Sequence, residues 1–290
     1  MKEAVYVLGS GSLALSCAEY IKNQGVSVSL YDTTENPSGL LKRQAELKGI
    51  PYKKESREDV FQMFLGLETD LLLVSAINEW LIPGRVLERP NITAVNLHQA
   101  LLPKHPGRNA EAWAIFEQDK TSGITWHLME EKVDGGDILL QKGIPLDEKT
   151  TSIGLFRRQI ACAYEGFQEI FLSLMEGTYQ GTPQSAAKVT EYHWKRDIPG
   201  GGWLDTEWPA EKISAFLRAM DYGGLQIWEP PRIRLGQGCF TWKKYKLVKA
   251  LGRKMQKIDV KADGSILIQK DNMEISLSNC RKLEEETWTN

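Results

Sequence analysis

Along the first 150 residues the apolar positions follow two alternating periods. Short β-branched or aliphatic runs ("AVYVL", "VSVSLYD", "ITAVNLH") alternate with helical stretches ("LALSCAEYIKNQG", "SGLLKRQAELKG"), and "DVFQMFLGLETDLLLVSA" continues the alternation to a third strand ending before "INEW". Strands alternating with helices predict βαβ units and a Rossmann-like, doubly wound α/β fold with a mostly parallel sheet. A helix "AEAWAIFEQ" and two β runs, "GITWHLMEE" and "GDILLQKGIPL", come next. Ser152–Glu176 then reads as a long amphipathic helix with Ile153, Phe156, Ile160, Ala163, Phe167, Ile170 and Leu174 on its apolar stripe. Periodicity lapses in the Gly- and Pro-rich "GTYQGTPQSAAKVTEYHWKRDIPGGGW" and resumes with the helix "PAEKISAFLRAM". The runs "RIRL", "CFTWKKYKLVKA", "KIDVKADGSILIQ" and "MEISLSN", with a hairpin turn at "ADGS", predict a small β-rich module resembling an oligonucleotide/oligosaccharide-binding barrel. The expected organisation is a catalytic domain over residues 1–180, a linker over 181–204 and the module over 205–290.

Composition narrows the class of protein. With 42% hydrophobic and 26% charged residues and no apolar run near the ~20 residues of a membrane span, a globular, non-membrane chain is expected. The start, "MKEAVYVLGSGSLALS", enters a strand without an apolar leader, so the expected location is the cytoplasm. Cys17, Cys162, Cys239 and Cys280 are widely spaced, which predicts neither a disulfide framework nor a metal site. A net charge of -2 exerts no general pull on nucleic acid, although Lys243, Lys244, Lys246, Lys249, Arg253, Lys254 and Lys257 form one local basic run.

Two clusters carry candidate chemistry. "GSGSLA" after the first strand fits a dinucleotide-binding turn, with Asp32 at the end of the second strand. Alone it suggests a nicotinamide-dependent oxidoreductase built on Gly9, Gly11 and Asp32, although any close strand-to-helix turn favours the same glycines. The second cluster is "NLHQALLPKHPGRN". Asn96 and His98 occupy alternate positions at the end of a strand, so both side chains lie on one side of the sheet, and the Pro- and Gly-containing loop wraps what they face. Asp134, in "EEKVDGGDILL", lies on a turn that can bring a carboxylate beside an imidazole. Direct acyl transfer to an amine needs an oxyanion donor, an acid/base and a carboxylate to tune it; Asn, His and Asp supply all three.

These two stretches, "NLHQALLPKHPGRN" and "SGITWHLMEEKVDGGDILLQKGIPL", resemble the folate-dependent formyltransferases, over about residues 5–175. The segment after Leu204 is similar, more weakly, to the C-terminal part of methionyl-tRNA formyltransferases. The resemblance implies a 10-formyltetrahydrofolate donor, with Asn96 holding the formyl oxygen, His98 stabilising the oxyanion and passing protons, and Asp134 orienting His98. It also implies a pterin site on the main chain around Ser75, Ile77, Asn78, Trp80 and Leu81, and near Leu101, Val133, Gly136 and Asp137, with His127 in a supporting role. Ala100 stands where relatives often carry Ser, and "INEW" where they often carry a Tyr-Gly pair. The loop after the second strand is short, without the basic insertion of the tRNA enzymes, and "GRNAEAWAIF" resembles the formyltransferase-type domains of nonribosomal peptide synthetases. The implied acceptor is therefore a small or carrier-bound amine, an amino acid or an amino sugar, with initiator tRNA as the alternative.

Overall fold

The computed structural model describes residues 1–185, 190–249 and 255–284. The chain divides into two compact units, and the division is not a single cut near residue 180. One unit comprises residues 1–108, 122–144 and 157–193; the other comprises 109–121, 145–156 and 194–290.

The first unit is built on a seven-stranded sheet. Its strands are β1 (Ala4–Gly9), β2 (Ser27–Asp32), β3 (Tyr52–Lys53), β4 (Leu71–Ala76), β5 (Ile92–His98), β6 (Thr121–Leu128) and β7 (Ile138–Pro145), in the order β3-β2-β1-β4-β5-β6-β7. Strands β1 to β5 pair in parallel, and β6 runs antiparallel to β5, giving a doubly wound sheet with a reversed flank. The two-residue β3 is too short for a period-2 signal to reveal it.

Helices cover both faces. α1 (Gly11–Asn23) and α6 (Ser152–Glu176) pack on one, where Leu13, Cys17 and Ile21 meet Ala163, Phe167 and Leu174 over Val5, Val7, Leu97 and Trp126. α3 (Arg57–Gly66) and α4 (Gly84–Leu87) pack on the other, with Val60, Phe61, Phe64 and Val86 against Leu71, Leu73, Ile92 and Ala94. α3 starts where Ser56 accepts the Asp59 N–H at 3.1 Å, a side-chain cap for an otherwise unpaired amide. A short α2 (Leu40–Leu47) buries only Ala45. The buried stripe of α6 differs from the expected one at its start: Leu155 and Gln159 are buried, whereas Ile153, Phe156 and Ile160 are only partly so. Gln159 is tolerated because its buried amide donates to the carbonyls of Gln99 (2.6 Å) and Gly123 (3.0 Å).

The dinucleotide-type cluster has structural employment. A Cβ on Gly9 would lie 1.8 Å from the Ala76 carbonyl oxygen, so glycine is required where β1 and β4 converge. Asp32 is buried and accepts from the Tyr52 hydroxyl (2.8 Å) and the Thr34 N–H (2.9 Å), so it is not the open carboxylate that a ribose requires.

The second unit contains α5 (Ala110–Phe116), α7 (Ala210–Ala219), a 3-10 turn over Pro199–Gly202 and two four-stranded sheets. The first sheet has the order β15-β10-β9-β8 and the second β11-β14-β13-β12, where the strands are β8 (Trp203–Leu204), β9 (Arg232–Leu235), β10 (Gly238–Thr241), β11 (Lys244–Lys249), β12 (Met255–Val260), β13 (Ile266–Asp271), β14 (Met273–Ser278) and β15 (Arg281–Lys282). The strand-rich module is as expected, but "CFTWKKYKLVKA" is two strands in different sheets, parting at the buried Trp242. Leu204, Ile213, Phe216, Ile233, Phe240, Ile268 and Ile275 form its core. Of the basic run, Lys243, Lys244 and Lys246 are exposed, Lys249 pairs with Glu148 (2.6 Å) and Lys257 with Asp259 (3.3 Å); Arg253 and Lys254 lie outside the described residues. The four cysteines are free thiols. No helix among the described residues is long and apolar enough to cross a membrane.

Candidate active site

The site arises where one face of the sheet outruns its apolar cover. On β5 the residues Ile92, Ala94, Asn96 and His98 share a face; the first two belong to the second core and the last two extend beyond it. On β4 the same progression runs Leu71, Leu73, Ser75. His127 of β6 lies directly opposite Asn96 in register, so their side chains fall on a common face.

A continuous hydrogen-bond chain orders these groups. The Ser75 hydroxyl donates to Asn96 Oδ1 at 2.6 Å, and Asn96 Nδ2 donates to His127 Nε2 at 3.1 Å. His127 can accept there because its Nδ1–H is given to the Leu128 carbonyl at 2.7 Å, which fixes the tautomer. One Asn96 N–H is thus used internally, and the amide retains a second for a ligand. His98 Nε2 donates to the His105 carbonyl at 2.8 Å, turning Nδ1 towards Asp134 Oδ2 at 3.4 Å. The other Asp134 oxygen, Oδ1, is 3.6 Å from His127 Nε2, and Oδ2 accepts the Gly107 N–H at 2.8 Å. Asn96, His98, Asp134 and His127 therefore form one cluster, and all three candidate catalytic residues are within it.

Electrostatics sets the resting state. Burial is the largest influence on His98 and holds the imidazole below its ordinary value, against the opposing pull of Asp134 and the His105 carbonyl. Burial would push the Asp134 carboxyl up, but the His98 imidazole and the Gly107 amide outweigh it and hold it well below the usual carboxylate range. A neutral imidazole beside an ionised carboxylate is a single base that becomes an ion pair when it takes a proton. Asp134 reaches this position with φ at +55°, a left-handed conformation uncommon for a residue with a side chain.

Three loops converge here. Arg108, after β5, donates to the Glu79 carbonyl after β4 (3.3 Å), Gly107 holds Asp134, and Gly84 lies close to Glu131 of the loop after β6. The residues expected at the pterin site divide by orientation. Ser75 is buried against Asn96; Asn78 bonds both the N–H and the carbonyl of Trp80; Trp80 packs edge-on to Phe61. Ile77 adopts φ +56° and its carbonyl accepts from Ser10 Oγ. A Cβ on Gly136 would lie 2.0 Å from the Leu128 carbonyl oxygen, and the Asp137 carbonyl accepts from the Leu128 N–H. Leu101 is half-buried, whereas Leu81 and Val133 are 63% and 38% exposed. The Gly107 backbone approach expected of the loop is the N–H that holds Asp134, whereas the His105 carbonyl, which fixes His98, is a main-chain group that no residue-type pattern marks.

Comparison with known proteins bears on the family and the fold. Residues 2–170 match the family model described as formyl transferase. The chain is 32% identical over 222 residues to the GDP-perosamine N-formyltransferase of Brucella melitensis biotype 1, covering 74% of this chain and 84% of that enzyme. It is 32% identical over 185 residues to the methionyl-tRNA formyltransferase of Bacillus mycoides, of whose length it spans 58%. In fold it is similar to an N-formyltransferase from Helicobacter canadensis, crystallised with folinic acid and dTDP-3-aminofucose, with a TM-score of 0.76 at 18% identity over 96% of this chain and 99% of that one.

Proposed function

The chain belongs to the formyl transferase family, and on that premise we propose that it carries a formyl group from 10-formyltetrahydrofolate to the primary amine of a nucleotide-linked amino sugar. The observation that carries the chemistry is the Asn96–His98–Asp134 cluster, which presents a spare amide N–H beside an imidazole–carboxylate base. The observation that favours an amino sugar over an amino acid or a carrier-bound aminoacyl group is the match to a sugar N-formyltransferase over 84% of that enzyme's length.

In this reading the acceptor amine attacks the formyl carbon, a new C–N bond forms and the bond from that carbon to the folate N10 breaks. Asn96 Nδ2 holds the formyl oxygen as negative charge develops on it, and Ser75 and His127 keep that amide from turning. The His98–Asp134 pair takes the proton the amine loses and returns one to the departing nitrogen. For the donor, the loop between β4 and α4 is held rigid by its own bonds, Asn78 to the Trp80 N–H and carbonyl, Ser10 to the Ile77 carbonyl and Arg108 to the Glu79 carbonyl, while Leu81 on that loop and Val133 after β6 stay exposed as apolar surface for a flat heterocycle.

Two measurements test this. Isothermal titration with a stable 10-formyltetrahydrofolate analogue is expected to show binding, and titration with NADH none; the opposite pattern would reinstate the oxidoreductase alternative. Turnover is then compared among nucleotide-linked amino sugars, free and carrier-bound amino acids and methionyl-tRNA. Efficient use of methionyl-tRNA, falling steeply with salt as counterion release requires, would replace the sugar reading.

A further inference from the structure

Residues 181–193 are part of the stretch 181–204 that the sequence predicts as a linker, and they lie beyond the stretch that matches the family model. Its described residues instead fasten both loops of the cluster, all within the first unit. Thr182 exchanges both backbone hydrogen bonds with Ile138, each 2.8 Å long. Gln184 Nε2 donates to the carbonyls of Asp134 (2.7 Å) and Gly136 (2.8 Å), bracketing the turn on which Asp134 adopts its left-handed conformation. On the other loop, Thr190 Oγ1 accepts the His105 N–H at 2.7 Å, the His193 N–H donates to the Pro106 carbonyl, and the Arg108 N–H donates to the His193 carbonyl. A Cβ on Gly107 would lie 2.2 Å from that same His193 oxygen, so the segment and the loop meet at backbone distance.

We propose that Gln184 is a positioning residue for formyl transfer, acting through Asp134. A left-handed, non-glycine backbone persists only where its surroundings enforce it, and the Asp134 and Gly136 carbonyls are the groups that Gln184 pins. Without that bracket the turn relaxes, and the carboxylate no longer faces His98 at 3.4 Å. Thr190 acts in the same way on the opposite side, since the His105 amide it holds belongs to the residue whose carbonyl fixes His98 Nε2. This inference rests on the roles proposed above for Asp134 and His98.

The test is Gln184→Ala, compared with Asn91→Ala. Asn91 makes the same kind of contact remote from the site, its Nδ2 donating to the carbonyls of Leu67 (3.0 Å) and Thr69 (2.9 Å). Losing two hydrogen bonds that align the reacting groups is expected to lower kcat by about 10- to 30-fold, with KM for each substrate within about twofold. The ascending limb of the pH–rate profile is expected to move to lower pH, because Asp134 is the larger of the two groups, with the His105 carbonyl, that oppose the effect of burial on His98. The groups facing His98 are Asp134, His127 and His105, with Tyr192 close to Asp134 and Arg108. Asn91→Ala should lower Tm without moving kcat or the limb. A Gln184→Ala enzyme with wild-type kcat, or one whose kcat falls while the limb stays in place, overturns the proposal. If that variant does not accumulate folded, Gln184→Met, which keeps the volume and removes the donors, is judged by the same criteria. An inactive Asp134→Asn enzyme beside a normal Gln184→Ala enzyme refutes this inference alone; an active Asp134→Asn enzyme refutes both it and the mechanism on which it rests.

Discussion

Replacing Asp134 by Asn is the sharpest perturbation of the proposed chemistry, because it removes the charge and keeps the shape. The amide oxygen can still accept the Gly107 N–H, now made at 2.8 Å, so the loop need not move. In a Ser-His-Asp triad the equivalent change costs about 10⁴ in kcat because the imidazole loses its tautomer. Here His98 Nε2–H is fixed independently by the His105 carbonyl, so the tautomer survives and only the carboxylate's part in proton transfer is lost. The expected loss is therefore about 10²- to 10³-fold in kcat, or roughly 3–4 kcal/mol of transition-state stabilisation. KM should change little, since the interaction is made mainly in the transition state. The pH dependence supplies a sign. The neutral imidazole is the active base, so the ascending limb reports His98, which burial places below the ordinary imidazole value of about 6.5. Asp134 opposes that depression, so its removal must move the limb to still lower pH while the plateau drops. Steady-state turnover followed by tetrahydrofolate release from pH 4.5 to 8.5 reads both. A plateau within threefold of wild type, or a limb displaced to higher pH, would refute the assignment.

Asn96→Ala is expected to cost about 10²- to 10³-fold in kcat through the lost oxyanion contact, measured with saturating donor and acceptor. In wild type, the depressed Asp134 carboxyl contributes stability that is complete above its unfolded pKa of about 3.9 and is lost as pH falls through the lower folded value; urea unfolding from pH 6 to 3 should therefore show a steeper acid loss for wild type than for Asp134→Asn. Gly9→Ala, whose Cβ would meet the Ala76 oxygen at 1.8 Å, should prevent folding or lower Tm severely, whereas Gly11→Ala, with open space but φ +66°, should cost only about 1–2 kcal/mol; equal, mild effects would show that the first glycine is not set by strand packing. Reversing the exposed Lys243, Lys244 and Lys246 to Glu should leave turnover with an amino sugar within a few-fold and stability nearly unchanged, and abolished activity would instead assign that surface to a phosphate-rich acceptor.

Much of this site was legible because its side chains obey strand periodicity. Asn96 and His98 are two apart, so their shared face follows from the chain itself, and β5 ends where its apolar residues stop. His127 was visible as a residue but not as the partner of Asn96, because the pairing depends on antiparallel register between β5 and β6, which no local pattern encodes. The supports were hidden for a different reason. Gln184, Thr190 and His105 act on or through backbone amides and carbonyls, and any residue type presents those groups. The compact units escaped a linear reading because residues 109–121 and 145–156 belong with 194–290, as the buried Glu111–Tyr222 hydrogen bond at 2.7 Å across 111 positions illustrates. The reacting groups are thus written in side chains, while the geometry that makes them react is held largely by main-chain hydrogen bonds. Substitutions in the "linker" should therefore alter kcat more readily than substitutions at equally exposed positions on α2, whose only buried residue is Ala45.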